Sequence, residues 1–234
     1  TEPPLPPLAR PVRIVVAGDS TARATGTGLL YWAAANPELA QVEVVGAPGC
    51  GFLLGGERRE GGFKPAPDGC DVWLGQELPQ RVAELRPDVV MMMMTSWDLV
   101  DHRWDDGVEL TPLDPPFEQR LATDYAAITD ELLALGAGSV AWVKPPIPNI
   151  LWQDQGTGQE DPARHQVVGR VTDEVAAARP GDVGVVDLAS WLIESGRDDD
   201  REVRPDGVHF EPTAAVAIAT DFLGERLVRI AVGA

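Results

Sequence analysis

Positive charge is scarce in this chain. Nineteen Lys and Arg stand against 37 Asp and Glu over 234 residues, a formal net charge of −18. A phosphate-backbone partner needs clustered positive charge, so this balance argues against nucleic acid, and it repels an anionic membrane surface. Long apolar runs are also missing. No stretch approaches the eighteen or so consecutive apolar residues of a membrane span, although a hydrophobic content of 44% is enough for the core of one domain of this length. Histidine and cysteine number only three and two. Neither Cys has a second Cys or His at zinc-like spacing, and no metal or organic cofactor is expected. The acidic run Asp198-Asp199-Asp200 with Glu202 lacks the spaced ligands and glycine of a calcium loop and reads as solvated. No repeat of solenoid length is present.

What the chain does contain is a regular alternation. Apolar, β-rich runs at Val12–Ala17, Val42–Val45, Val89–Met94, Val140–Val143 and Val183–Val186 are near-continuous, as in parallel strands covered on both faces. Between them lie helical patterns at about 22–35, 72–86, 117–135 and 162–179, with a last helix at about 212–231. Gly136 and Gly138 follow one helix, and Pro212 sits in the first turn of the last. With right-handed crossovers this order predicts a three-layer α/β/α, flavodoxin-like, doubly wound parallel sheet. Met91 to Met94 fall on one strand, where successive side chains face opposite ways, so their sulfurs cannot converge on an ion and are expected in the core.

Two short motifs carry the chemistry. Gly18-Asp19-Ser20 follows the first apolar run directly, and Asp206-Gly207-Val208-His209-Phe210 lies near the other end. A serine hydroxyl is a poor nucleophile at neutral pH. It needs an imidazole to take its proton and a carboxylate to fix the tautomer and orientation of that imidazole. Ser20, His209 and Asp206 fit these roles, and a serine at a strand-to-helix turn lies at the carboxyl end of the sheet, where open α/β folds build their sites. His102 and His165 compete as the base, but neither has an aspartate three residues before it. The plainer alternative makes Ser20 a helix N-cap and His209 a packed loop residue.

On these motifs the chain resembles the SGNH or GDSL-like hydrolase family, whose first block is Gly-Asp-Ser and whose last is Asp-x-x-His. The resemblance spans roughly residues 12 to 230. It implies the SGNH hydrolase fold, with 1–11 as a Pro-rich linker and 12–234 as a single catalytic domain. It further implies a catalytic Ser20, Asp206 and His209, and an oxyanion hole formed by the Ser20 N–H and a second-block glycine. Val45-Gly46-Ala47-Pro48-Gly49-Cys50-Gly51 resembles that block, with Gly49 at the key position and Gly51 as the fallback. The third block is normally Gly-x-Asn-Asp, but here it reads Thr95-Ser96-Trp97-Asp98, with Trp97 in the Asn place. Loss of one oxyanion donor costs about 10²–10³ in turnover. Arg23, one helical turn after Ser20, is in position to face the developing charge or an acidic substrate group; a solvated surface arginine is the alternative. Substrate binding is therefore expected of Arg23, Trp97 and Asp98. The Trp-Asp variant also resembles SGNH domains that are fused to, or work beside, membrane acyltransferases modifying bacterial surface sugars.

The remaining signals concern location and substrate. Thr1 to Pro11 holds five prolines and reads as an extended linker, suiting a processed or excised domain tethered to an upstream membrane part. Cys50 and Cys70 are expected to pair, with two free thiols as the alternative. A bridge closing about twenty residues contributes roughly 3 kcal/mol in the chain-entropy model and implies an oxidising, extracytoplasmic compartment. Two long loops, Trp97 to Pro116 and Lys144 to Asp161, leave carboxyl ends of strands and should flank Ser20, with Trp97, Trp104 and Trp152 offering a wall for sugar stacking. The expected activity is that of an O-acyl esterase or O-acyltransferase acting through an acyl-enzyme on small acyl esters, above all of extracytoplasmic carbohydrate. The rivals are a non-catalytic carbohydrate-binding module on the same fold and a lipase of long-chain esters.

Overall fold

A computed structural model describes residues 3–104, 106–151 and 157–234. The first apolar run forms β1 (Val12–Gly18), followed by α1 (Ser20–Ala35) and β2 (Ala40–Val44). Next come two three-residue strands, β3 (Glu57–Arg59) and β4 (Phe63–Pro65). A composite helix then runs from α2 (Cys70–Val72) through a π turn at Trp73–Glu77 into α3 (Leu78–Leu85). After β5 (Val89–Met93) the chain makes two short strands, β6 (His102–Arg103) and β7 (Glu109–Leu110). It continues with α4 (Pro115–Ala134), β8 (Val140–Lys144), α5 (Pro162–Ala177), β9 (Val183–Asp187) and α6 (Leu188–Glu194). The last helix is again composite: α7 (Pro212–Ile218), a π turn at Ala219–Leu223 and α8 (Gly224–Val232).

The main sheet has the order β2-β1-β5-β8-β9, all pairs parallel, which is the flavodoxin-like doubly wound order expected from the sequence. Its three central strands, β1, β5 and β8, are buried on both faces because successive side chains enter two different cores. Val15, Met92, Met94, Val140 and Trp142 pack towards α3, α4 and α5, whereas Ile14, Val16, Met91, Met93 and Val143 pack towards α1, α7 and α8. The four consecutive methionines are thus divided two and two between the cores. Glycines let helices approach the rest of the domain closely: a Cβ on Gly28 would lie 2.3 Å from the Ala215 backbone, joining α1 to α7. Residues 3–11 carry no helix or strand, yet Leu5 and Leu8 pack on the α1/α8 core, and Arg10 holds Asp88 with two hydrogen bonds of 2.6 and 2.7 Å.

Three features differ from the sequence reading. The helix α6 was not anticipated; its seven residues are too few for a periodic signal. Both π turns interrupt patterns that read as single helices. Finally, β3, β4, β6 and β7 form a second, antiparallel sheet in the order β4-β3-β6-β7 within segments that read as loops. Its strands are two or three residues long and largely charged, so neither alternation nor an apolar run announces them. Among the described residues no helix is long and apolar enough to cross a membrane.

Candidate active site

The site begins where β1 gives way to α1. Gly18 has φ +144°, and a Cβ there would sit 1.8 Å from the Met93 carbonyl oxygen, so only glycine permits this contact with β5. Asp19 is 1% exposed and caps α1: its Oδ1 accepts from Thr21 N–H at 2.8 Å and Ala22 N–H at 3.3 Å, while its Oδ2 accepts from Thr95 N–H at 3.2 Å. Burial pushes the Asp19 carboxyl above its usual range against the pull of these bonds. One carboxylate therefore ties the first motif to the third block. The Asp19 carbonyl takes the Arg23 N–H at 3.1 Å, which leaves Ser20 N–H as the amide of the first turn that the cap does not use. Ser20 itself is partly exposed at the positive end of a sixteen-residue helix.

The second partner comes from the C-terminal loop. Asp206 Oδ1 accepts from the backbone N–H groups of Val208 and His209, each at 2.8 Å, and Oδ2 lies 2.7 Å from His209 Nδ1. Burial would raise the Asp206 carboxyl, but the hydrogen bonds from the His209 ring and from these two amides hold it below the usual carboxylate range. An ionised Asp206 accepts at Nδ1, so the Nδ1–H tautomer presents Nε2 as a base. Nε2 lies 2.7 Å from Ser20 Oγ. The loop is pinned from behind: Gly207 has φ +81°, a Cβ on it would lie 1.6 Å from Asn149 O, and Asn149 N–H donates to Gly207 O at 2.8 Å. Ser20, His209 and Asp206 thus form one hydrogen-bonded chain, accessible to solvent at His209, whose side chain is 33% exposed.

The second and third blocks meet beside it. Cys50 and Cys70 are joined, S–S 2.01 Å, so the bridge expected from the sequence is present. Gly49 adopts φ +82° and gives its carbonyl to Arg58 Nη1 at 2.6 Å. Gly51 packs directly on the third block: a Cβ there would lie 2.1 Å from Asp98 Oδ1 and 3.5 Å from Trp97 Cβ. The fallback glycine, not Gly49, is therefore the one that meets Trp97. Trp97 is half-buried, with the Arg58 guanidinium 4.0 Å from its ring centroid. Asp98 is 1% exposed and occupied inward, accepting from Phe52 N–H at 2.9 Å, Leu53 N–H at 3.2 Å and Tyr125 O–H at 2.8 Å. It holds the glycine turn rather than reaching the surface of the site as a binding group. Burial is the main cause that pushes its carboxyl up to about 6. Arg23 is exposed, its Cβ near Gly46.

The competing histidines lie elsewhere. His102 is 4% exposed, stacks on Trp104 at 5.1 Å, and has Nδ1 3.0 Å from Val100 O; burial above all lowers it to about 4, so it stays neutral. His165 Nε2 lies 2.7 Å from Gln159 O. Trp152 lies outside the described residues. No group of metal-ligating side chains occurs among the described residues. Sequence reasoning missed Arg58, 3% exposed beneath Trp97, and the Asn149–Gly207 clamp. Arg58 lies in Glu57-Arg58-Arg59-Glu60, a pattern that reads as solvated charge; only the antiparallel pairing of β3 with β6 buries it.

A family model described as "SGNH domain (fused to AT3 domains)" matches residues 3–223. The chain belongs to the SGNH family. No curated protein sequence matches it. Among solved structures, a lipase/acylhydrolase from Enterococcus faecalis is 20% identical with TM-score 0.58, covering 95% of this chain and 96% of that one. The periplasmic domain of a Salmonella ser. Paratyphi A lipopolysaccharide acetyltransferase is 10% identical with TM-score 0.62, covering 95% and 85%. An acetylxylan esterase from Geobacillus stearothermophilus is 18% identical with TM-score 0.53, covering 94% and 95%. At these identities the likeness concerns the SGNH fold, and what the site does follows from its own residues.

Proposed function

We propose that this SGNH domain is a serine-nucleophile O-acyl esterase or O-acyltransferase that handles small acyl groups on extracytoplasmic carbohydrate. The observation that carries the reading is the chain Ser20 Oγ to His209 Nε2 at 2.7 Å and His209 Nδ1 to Asp206 Oδ2 at 2.7 Å. Ser20 Oγ attacks the acyl carbonyl carbon while His209 Nε2 takes its proton, and Asp206 stabilises the imidazolium. The oxyanion is received by Ser20 N–H and by an N–H of the glycine turn, Gly49 as first expected or Gly51, which packs on Trp97. Collapse breaks the ester bond, and the leaving alkoxide takes the proton from His209. A water or a sugar hydroxyl then gives its proton to His209 and attacks the acyl-serine carbonyl. Release of Ser20 returns that proton to Oγ.

No bound metal or cofactor has a part in these steps. Trp97 offers an aromatic face held over Arg58, suited to the C–H face of a pyranose, and Arg23 offers an exposed cation one helical turn after Ser20. The AT3 fusion in the family description supports a membrane acyltransferase domain as partner. The Cys50–Cys70 bridge and the periplasmic acetyltransferase neighbour support an extracytoplasmic site. The test is release of p-nitrophenol from p-nitrophenyl acetate, with and without acetyl-acceptor sugars. Turnover that vanishes in Ser20→Ala, with acetyl passing to the sugar, supports transfer; turnover without transfer supports hydrolysis. A folded wild-type protein that binds sugar but releases no p-nitrophenol points to a binding module.

A further inference from the structure

Among the described residues, a cavity of about 480 Å³ is lined by none of Ser20, Asp206, His209 or Trp97. It opens at the carboxyl ends of β8 and β9, against α5 from Pro162 to Asp173. Its wall is apolar, formed by Met94, Tyr125, Trp142, Val143 and Val168. The rings of Tyr125 and Trp142 stack at 4.4 Å, which fixes the shape of that wall. Size, apolar lining and position at strand carboxyl ends are those of a small-molecule site.

Two further observations say what enters it. The first is Gly169, which lines the cavity in the middle of α5. Three other helix glycines are demanded by packing, since a Cβ would lie 2.7 Å from Val44 at Gly26, 2.3 Å from Ala215 at Gly28 and 2.5 Å from Trp32 at Gly224, whereas Gly75 in the π turn meets nothing and lines no part of this cavity. At Gly169 the nearest atoms are those of the flexible Lys144 side chain, at 3.8 to 4.0 Å, an ordinary contact. Glycine is among the poorest helix formers. Neither helix geometry nor packing requires it here, and what it does is keep that wall of the cavity open. The second observation is that the two cations at the rim are paired within the protein. Lys144 Nζ pairs with Asp173 at 2.7 Å, Arg170 with Glu118 at 2.9 Å, and Asp187 Oδ1 caps α6 by accepting from Ser190 N–H at 2.9 Å. Among the described residues both rim cations are thus neutralised within the protein, and the Asp187 carboxylate is engaged by a helix N-terminal amide.

We infer that this cavity is a second binding site, separate from Ser20, for a neutral and mostly apolar small molecule whose ring or short chain inserts between Gly169 and the Trp142/Tyr125 wall. The inference does not rest on the proposed chemistry at Ser20. The cavity wall at Lys144, Pro145 and Ile147 runs on to Asn149, which holds Gly207 between Asp206 and His209, so the two sites share one loop.

Benzyl alcohol is the probe: neutral, apolar in its ring, with one hydroxyl for the rim. In the whole domain it should give saturable NMR shifts at the Met94 methyl, assigned through Met94→Leu, and at the Trp142 indole N–H, with a rise in Tm that grows with its concentration. Gly169→Leu should match or exceed the wild-type Tm without the probe and lose both responses. If that variant does not fold, Gly169→Ala serves instead and should weaken binding several-fold. Absence of saturable shifts in the wild type, or shifts unchanged in the folded variant, overturns the inference. Fluorophosphonate labelling of Ser20 should be unaffected by saturating benzyl alcohol. Competitive loss of labelling would make the cavity part of the Ser20 site and overturn its separateness, whereas a Ser20 that never labels counts against the proposed chemistry alone.

Discussion

The two sheets of this domain are built on different physics. The parallel sheet is a continuous apolar object: every residue of β5 is buried, and its side chains divide between two cores that the helices close. The antiparallel sheet is held mainly by charge and by one covalent bond. Arg59 bridges Asp101 at 3.0 Å and also pairs with Glu109, Arg103 pairs with Glu57, and Arg58 and Lys64 share Glu60. Arg59 and Arg103 both lie over the Phe63 ring, at 4.6 and 4.8 Å. The first sheet positions Ser20, through Gly18 and the Asp19 cap. The second shapes the surface beside it, through Arg58 on Gly49 and Trp97. The placement of Ser20 thus rests on the part of the molecule with the largest apolar burial, and the surface around Trp97 rests on the part whose stability responds to salt and redox conditions.

The largest expected effect lies at the junction. His209→Ala should lower p-nitrophenyl acetate turnover by about 10⁴-fold or more while leaving Tm within a few degrees, since removing a triad base costs on this order. In the parallel sheet, Met92→Ala should cost about 2–5 kcal/mol by urea unfolding, the range for emptying a core methionine site. For the antiparallel region, Cys50→Ser with Cys70→Ser should cost about 3 kcal/mol, the chain-entropy value for a loop of this length. It should also lower turnover more than Met92→Ala does at a temperature where both are folded, because the bridge anchors the turn that carries Gly49 and Gly51. An equal loss of turnover from both variants would erase the distinction between the two regions.

Smaller effects sharpen the contrast. Arg59→Gln should cost no more than about 1 kcal/mol, because its side chain is 31% exposed and its ion pairs are screened; the cost should shrink further in 1 M salt. The pH dependence of stability distinguishes two carboxylates of opposite sign. Asp98, pushed up to about 6, binds its proton more tightly folded than unfolded. Its contribution is therefore full below its unfolded value near 4 and is lost as pH rises through about 6. Asp206, held below the usual range, contributes stability above its unfolded value that is lost as pH falls. Asp98→Asn should accordingly flatten the decline in Tm between pH 4 and 7, and an unchanged slope would mean that Asp98 does not carry it.

How much of this was legible in the sequence follows the same division. The parallel strands announced themselves because they are near-continuous apolar runs, buried on both faces in β1, β5 and β8, and Asp206-x-x-His209 was legible because one loop supplies both groups. The small sheet left no trace, since Glu57-Arg58-Arg59 and His102-Arg103 alternate in neither hydrophobicity nor size. Asp98 reads like a site residue in sequence, yet its backbone and Tyr125 partners turn it inward. The partner that places Trp97 comes from a segment 39 residues earlier, and only the folded chain brings Arg58 beneath it.

The most direct test of the central claim is intact mass after exposure to a fluorophosphonate. Stoichiometric addition to the wild type, with none on Ser20→Ala and little on His209→Ala, is the outcome that an activated Ser20 predicts. A folded wild-type protein that stays unlabelled would contradict it, leaving the Ser20, His209 and Asp206 hydrogen bonds as structure without chemistry.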